Sequence, residues 1–78
     1  MRLSYDPRHN IAYLRLREKS GEVETLHISD AMNIDIAPDG TVYGIELLNA
    51  DEQLLSADGH SLVVVNEARQ EQQEVSLG

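Results

Sequence analysis

The sequence predicts an α+β domain that is mainly β: an antiparallel sheet of about five or six strands built from hairpins, with one short helix near residues 50–57. Three observations carry this expectation. Alternation of apolar and polar residues with period two recurs through the first two thirds of the chain. Turn-forming residues punctuate it at Asp6-Pro7, Ser20-Gly21 and Pro38-Asp39-Gly40. The alternation then stops after Leu48, where acids and helix formers take over.

Leu3 to Asp6 reads as a first strand with Leu3 and Tyr5 on one face. Asp6-Pro7-Arg8-His9-Asn10 offers consecutive turn residues, so a hairpin to the next strand is expected. In Ile11 to Arg17, Ala12, Leu14 and Leu16 form an aliphatic, core-facing side, and Ile11, Tyr13, Arg15 and Arg17 an aromatic and basic one. Lys19-Ser20-Gly21-Glu22 turns the chain into a third strand, Val23 to Ile28, with Leu26 and Ile28 directed inward.

Met32 to Leu48, M-N-I-D-I-A-P-D-G-T-V-Y-G-I-E-L-L, is the stretch whose local chemistry is most directive. Pro38 presets the first turn residue and Gly40 accepts a positive φ, giving a hairpin with a three-residue loop and a Gly bulge. Simple pairing across that loop creates a conflict, because Glu46 then faces Met32 among Ile34 and Ile36. One extra residue near Tyr43 or Gly44, a β-bulge, restores parity and brings Ile45 to Ile34 and Leu47 to Met32. A two-residue Asp39-Gly40 turn is the rival, at the cost of a ladder hydrogen bond that Pro38 cannot donate.

Asn49 to Ala57 reads as about two turns of helix with Gly59 as its C-terminal stop. Leu62-Val63-Val64-Val65 is a continuous apolar run, expected to be a strand covered on both sides, either central in the sheet or covered by a second subunit. Residues 1–66 are thus read as one β-rich domain, and residues 67–78 as a polar tail or a short helix capped by Asn66.

With 78 residues, no Phe and no Trp, the core must be built from aliphatic side chains, Met and three Tyr. A chain this short buries only about 60% of its unfolded surface. Self-association, most simply as a homodimer, follows as an expectation. The absence of Cys excludes disulfides, thiolate metal sites and a Cys nucleophile. The N-terminus lacks a signal-peptide core and no apolar run approaches a membrane span, so a cytoplasmic location without membrane contact is the default. Met1 to Lys19 carries a net charge of +3 and the remainder −11, for −8 overall. Such acidity repels nucleic acid and suits a basic protein partner, although solubility alone also accounts for it.

No motif names a reaction. His9, His27 and His60 match no metal-ligand spacing, the serines lack a nucleophile-elbow context, and no phosphate-binding glycine loop is present. No cofactor is implied. The candidate interaction surface comprises Asp35, Glu46, Tyr13, Arg15 and Arg17, and the candidate oligomer strand Leu62, Val63, Val64 and Val65. Asp35 and Glu46 lie on the two arms of the central hairpin, where carboxylates can serve acid–base work or hold a divalent cation. Tyr13, Arg15 and Arg17 make a small patch of the type that binds RNA.

Two segments carry a family resemblance: Y-D-P-R-H-N-I-A-Y-L-R-L, Tyr5 to Leu16, and N-I-D-I-A-P-D-G-T-V-Y-G-I-E-L-L, Asn33 to Leu48. Together they resemble the short bacterial and archaeal proteins grouped as domain of unknown function 2283, over roughly the first fifty residues. The resemblance implies a small β-rich fold and a prokaryotic protein, with no activity or catalytic residue to carry over to Asp6, Asp39 or Glu46. Some members lie beside genes that look like toxin–antitoxin partners. The leading expectation is therefore a protein-interaction or homo-oligomerisation module with an acidic surface, in its narrower form an antitoxin-like inhibitor. The alternatives are a small hydrolase or metal-dependent enzyme using clustered Asp, Glu and His, and an RNA-binding module.

Overall fold

The computed structural model describes residues 1–56 and 59–78. In chain order it contains β1 (Arg2–Asp6), β2 (Ile11–Arg15), β3 (Glu24–Ser29), β4 (Met32–Ile36), β5 (Val42–Leu48), α1 (Ala50–Gln53), β6 (Leu55–Ser56), β7 (Gly59–Asn66) and β8 (Glu71–Ser76). The first five strands form an antiparallel sheet in the order β1-β2-β5-β4-β3, and the last three form a second one in the order β6-β7-β8. The fold is mainly β with one short helix, as the sequence predicts.

The central hairpin forms as its residues dictate. Ala37 donates to the Thr41 carbonyl at 2.8 Å, Gly40 donates to the Ala37 carbonyl at 3.0 Å, and Gly40 takes a φ of 92° that favours glycine. Ile36 pairs with Val42 but Asp35 pairs with Gly44, so Tyr43 is the extra residue of a bulge. Parity is restored: Ile34 meets Ile45, Met32 meets Leu47, and Glu46 meets Asn33.

Continuous rows of side chains follow from this register. Leu3, Leu14, Ile45, Ile34 and Leu26 align across all five strands, and Tyr5, Ala12, Leu47 and Met32 form the next row on the same apolar face. The opposite face carries Ser4, Tyr13, Glu46, Asn33 and His27, then Arg2, Arg15, Gly44, Asp35 and Thr25.

Three expectations are corrected. Ile28 was expected to point inward but is 54% exposed, because the ladder shifts register between His27 and Ser29 at this edge strand. The helix expected near 50–57 is a single turn; Asn49 enters it in the left-handed conformation without a side-chain cap, and Leu55 already pairs with His60. Gly59 lies in the β6–β7 hairpin instead of stopping a helix, with φ 105°, and Ala57 lies outside the described residues. Residues 67–78, expected as a tail or short helix, make a turn and strand β8. Asn66 accepts from the Arg69 amide at 3.2 Å, and Asn66 pairs with Glu71 at the start of a six-pair ladder.

The core is thin. Ala12, Tyr43 and Ala50 are the buried hydrophobic residues, and no large side chain is fully buried among the described residues. Apart from Ala12, the apolar rows of the sheet are only partly buried, and Leu62, Val63, Val64 and Val65 are 40–53% exposed. The radius of gyration is 14.1 Å, against about 11.5 Å for a compact chain of this length. Accessible surface is 5892 Å², about 1,200 Å² more than the roughly 4,700 Å² of a compact chain of this mass. Among the described residues no helix is long and apolar enough to cross a membrane.

Candidate functional site

The polar face of the five-stranded sheet gathers most of the chemistry. Asp35, on β4, is 9% exposed and takes three donors from three other parts of the chain. Thr25 Oγ1 on β3 donates to Oδ1 at 2.7 Å, Tyr13 on β2 donates its hydroxyl to Oδ2 at 2.7 Å, and Lys19 Nζ from the β2–β3 loop lies 3.0 Å from Oδ2. Thr25 reaches it because the two are directly paired across the ladder. Tyr13 does not face Asp35; it faces Glu46, and its ring lies diagonally across Gly44 to bring the hydroxyl there. A Cβ at Gly44 would stand 2.5 Å from Tyr13 Cζ and 2.7 Å from Cε1, so glycine is what admits the ring.

These contacts set the charge states. Burial pushes the Asp35 carboxyl up, but hydrogen bonds from Thr25, Tyr13 and Lys19 outweigh it and hold the group below its ordinary value. Burial, reinforced by the Asp35 carboxylate, raises the Tyr13 phenol. The Asp35 hydrogen bond and charge raise Lys19, whose ammonium also lies 5.5 Å from the Tyr13 ring centroid. At neutral pH the cluster is a carboxylate, a protonated phenol and an ammonium. Each shift deepens that state, so the arrangement holds a charge in place and offers no proton at an accessible pKa.

A polar ladder continues beside it. His27 Nδ1 donates to Asn33 Oδ1 at 2.9 Å, and Asn33 Nδ2 donates to Glu46 Oε1 at 3.0 Å. Ser4, Tyr13, Arg15, Lys19, Thr25, Asn33, Asp35 and Glu46 line an open basin of about 570 Å³ over this face. Four of the five expected surface residues thus come together: Tyr13, Arg15, Asp35 and Glu46. Arg17 does not line that basin; it lines a second hollow with Met1, Arg2, Leu16 and Glu18, and Arg15 is shared by the two. Arg15 is held by Glu18 at 3.3 Å.

A second polar cluster ties the two sheets together. The Tyr5 hydroxyl donates to Asp51 Oδ1, the Asp51 amide donates to Asn10 Oδ1 at 2.6 Å, and His60 Nε2 donates to the Asp51 carbonyl at 2.8 Å. The Tyr5 and His60 rings lie 5.7 Å apart, and the Asp51 bond raises the Tyr5 phenol. Tyr5, Asn10 and Asp51 carry no motif that announces this meeting. The visible signal is Asn10, which closes its turn at φ 57°. His9 bonds Asp6 locally, and among the described residues no group of three or more His, Cys, Asp or Glu is placed to hold a metal.

Residues 2–50 match the model of a family described as protein of unknown function, DUF2283. The chain belongs to that family. The DUF2283 match bears out the resemblance carried by Tyr5–Leu16 and Asn33–Leu48, and it ends as α1 begins. It therefore covers the five-stranded sheet, including Tyr13, Asp35 and Gly44, and leaves β6, β7 and β8 outside. No curated protein and no solved structure matches the chain.

Proposed function

We propose that this member of the DUF2283 family is a homo-oligomerisation module whose core is completed by a second copy of the chain. The observation that carries the reading is the incompletely covered apolar surface: Leu3, Leu14, Ile34, Ile45 and Leu47 on one face of the sheet are only partly buried, and Leu62, Val63, Val64 and Val65 on the two faces of β7 are 40–53% exposed. Soluble monomers rarely leave contiguous apolar patches beyond a few hundred Å². The surface excess of about 1,200 Å² is of the order a stable interface needs, roughly 800 Å² per partner. An enzymatic reading has less support, since both oxygens of Asp35 are occupied by donors from its own chain.

Sedimentation equilibrium tests the proposal. A mass of twice 8.7 kDa at micromolar concentration, with a melting temperature that rises with protein concentration, is the expected result. A single-chain mass with a concentration-independent melting temperature would overturn it.

The net charge of −8 favours a basic protein as a further partner of such an oligomer. Glu71 and Glu74, exposed on β8, are available to it, whereas Asp35 is not. Capture of a basic protein in fixed ratio, lost on neutralising Glu71 and Glu74, is the expected outcome; capture that survives both changes would refute this assignment.

A further inference from the structure

Sheet edges invite strand addition unless something blunts them. Three edges here are blunted. β1 is short and carries Arg2 and Asp6 at its ends, β3 begins with Glu24 and is broken by a register shift, and β8 carries Glu71 and Glu74.

The fourth edge is different. β6 pairs only with Gly59 and His60, so along residues 61–66 the side of β7 turned away from β8 has no strand beside it among the described residues. That stretch, S-L-V-V-V-N, contains no charge, no Pro and no Gly, and its six pairs with β8 are free of register shifts. An antiparallel ladder uses the N–H and C=O groups of alternate residues on each side, so half of those of residues 61–66 point to the open edge. Leu62 and Val64 stand on one face of β7 and Val63 and Val65 on the other, all half exposed. The neighbour on the other side, β8, sets Glu74, Gln73 and Gln72 beside the valines and leaves them exposed, so the strand that buries most here is one apolar on both faces. In this chain the run Leu62-Val63-Val64-Val65 of β7 itself has that character.

We infer that two copies join at this edge, β7 pairing antiparallel with β7 of the second copy in a continuous β8-β7-β7-β8 sheet. The inference rests on the self-association reading and specifies its seam. Antiparallel pairing of a strand with itself is closed by a two-fold axis normal to the sheet, which keeps each face on its own side. Directly opposed residues must then have matching parity, so the central residue meets its own copy. β6 limits the open slot to residues 61–66, and its middle places either Val63 opposite Val63 or Val64 opposite Val64.

The chain contains no cysteine, so a single introduced thiol can form only an intermolecular disulfide. Cα atoms of opposed residues in an antiparallel pair lie about 4.5–5.5 Å apart, inside the roughly 4.4–6.8 Å that a disulfide spans. Gln73, across the ladder from Val64, would be three strand spacings from its copy, about 14 Å. Val63→Cys, Val64→Cys, Gln73→Cys and, on the apolar face of the five-stranded sheet, Leu14→Cys are oxidised mildly in separate samples. The expected result is a covalent dimer from Val63→Cys or Val64→Cys at least tenfold faster than from the other two. Val64→Lys, with an unchanged β-sheet circular dichroism spectrum, should sediment as a single chain. A wild-type dimer that is trapped through Leu14→Cys, or that survives Val64→Lys with no trap at either valine, overturns the β7 seam and leaves self-association standing. A wild-type chain that sediments as a monomer at every concentration overturns both.

Discussion

The five-stranded sheet and the β6-β7-β8 meander are built from the same antiparallel ladders, yet they are held in unlike ways. In the five-stranded sheet, side chains cross the strands: Asp35 on β4 collects Thr25 from β3, Tyr13 from β2 and Lys19 from a loop, and Tyr43 donates its hydroxyl to the Ser20 carbonyl at 3.0 Å. The meander has side-chain ties at its two ends, His60 to Asp51 at the base and Asn66 to the Arg69 amide at the tip, with Val63, Val64 and Val65 exposed between them. Backbone pairing alone leaves a two-sided apolar hairpin marginal in water. One region is locked from within; the other, on the self-association proposed above, is finished from outside by a second copy.

The strongest test of the internal lock is Gly44→Val. A β-branched side chain cannot share space with the Tyr13 ring, and the expected loss is about 3–5 kcal/mol, from overpacking and from the broken Tyr13–Asp35 bond. Urea denaturation measures it. A loss under about 1 kcal/mol would mean that the ring does not need Gly44.

Asp35→Asn comes next, at about 1–3 kcal/mol, because a neutral amide weakens the bonds from Lys19, Tyr13 and Thr25. The same variant has a pH signature. Asp35 is depressed in the folded state, so its stabilisation is present above the unfolded carboxyl value and is lost as pH falls through the folded one. The wild type should weaken progressively below about pH 4, and Asp35→Asn should flatten that limb. Equal acid limbs would exclude Asp35 as a source of the pH dependence.

Tyr13→Phe is expected to cost about 1 kcal/mol and to act at the opposite end of the scale. Tyr13 and Lys19 are both raised in the fold, so their contribution is present below their unfolded values and is lost as pH rises through the folded ones, above about pH 10. Thermal melts between pH 8 and 11 should show a shallower alkaline decline in the variant. The smallest effect belongs to Lys19→Ala. Its side chain is half exposed, and screening by solvent limits the loss to at most about 0.5 kcal/mol. A larger loss would place more of the lock in the loop than in the sheet.

How far these features can be read from residues alone follows the range of the interactions that make them. The bulge at Tyr43 is legible because a strand face is binary: a Glu46 among aliphatic residues can be relieved only by a change of parity. Asp35 and Glu46 fall on one face for the same reason. The cross-sheet reach of Tyr13 is less legible, since Gly44 in a strand signals either a bulge or a close approach, and here it accompanies both. Lys19 arrives from a loop, where no periodicity directs it. Strand β8 escapes the pattern because E-Q-Q-E-V-S lacks apolar alternation; a strand wet on both faces has no reason to show one. The bond between Tyr5 and Asp51 spans 46 residues and depends on the whole arrangement of β1, α1 and β7.

Hydrogen–deuterium exchange across a concentration series tests the contrast between the two regions most directly. Amides of β2 and β5, paired on both sides, should be protected at every concentration. Those of Leu62 to Asn66 that point away from β8 should exchange quickly in the single chain and become protected as the second copy binds. Exchange at β7 that is identical at all concentrations, and slow even where the sedimenting mass is that of one chain, would contradict completion of the fold by a partner copy.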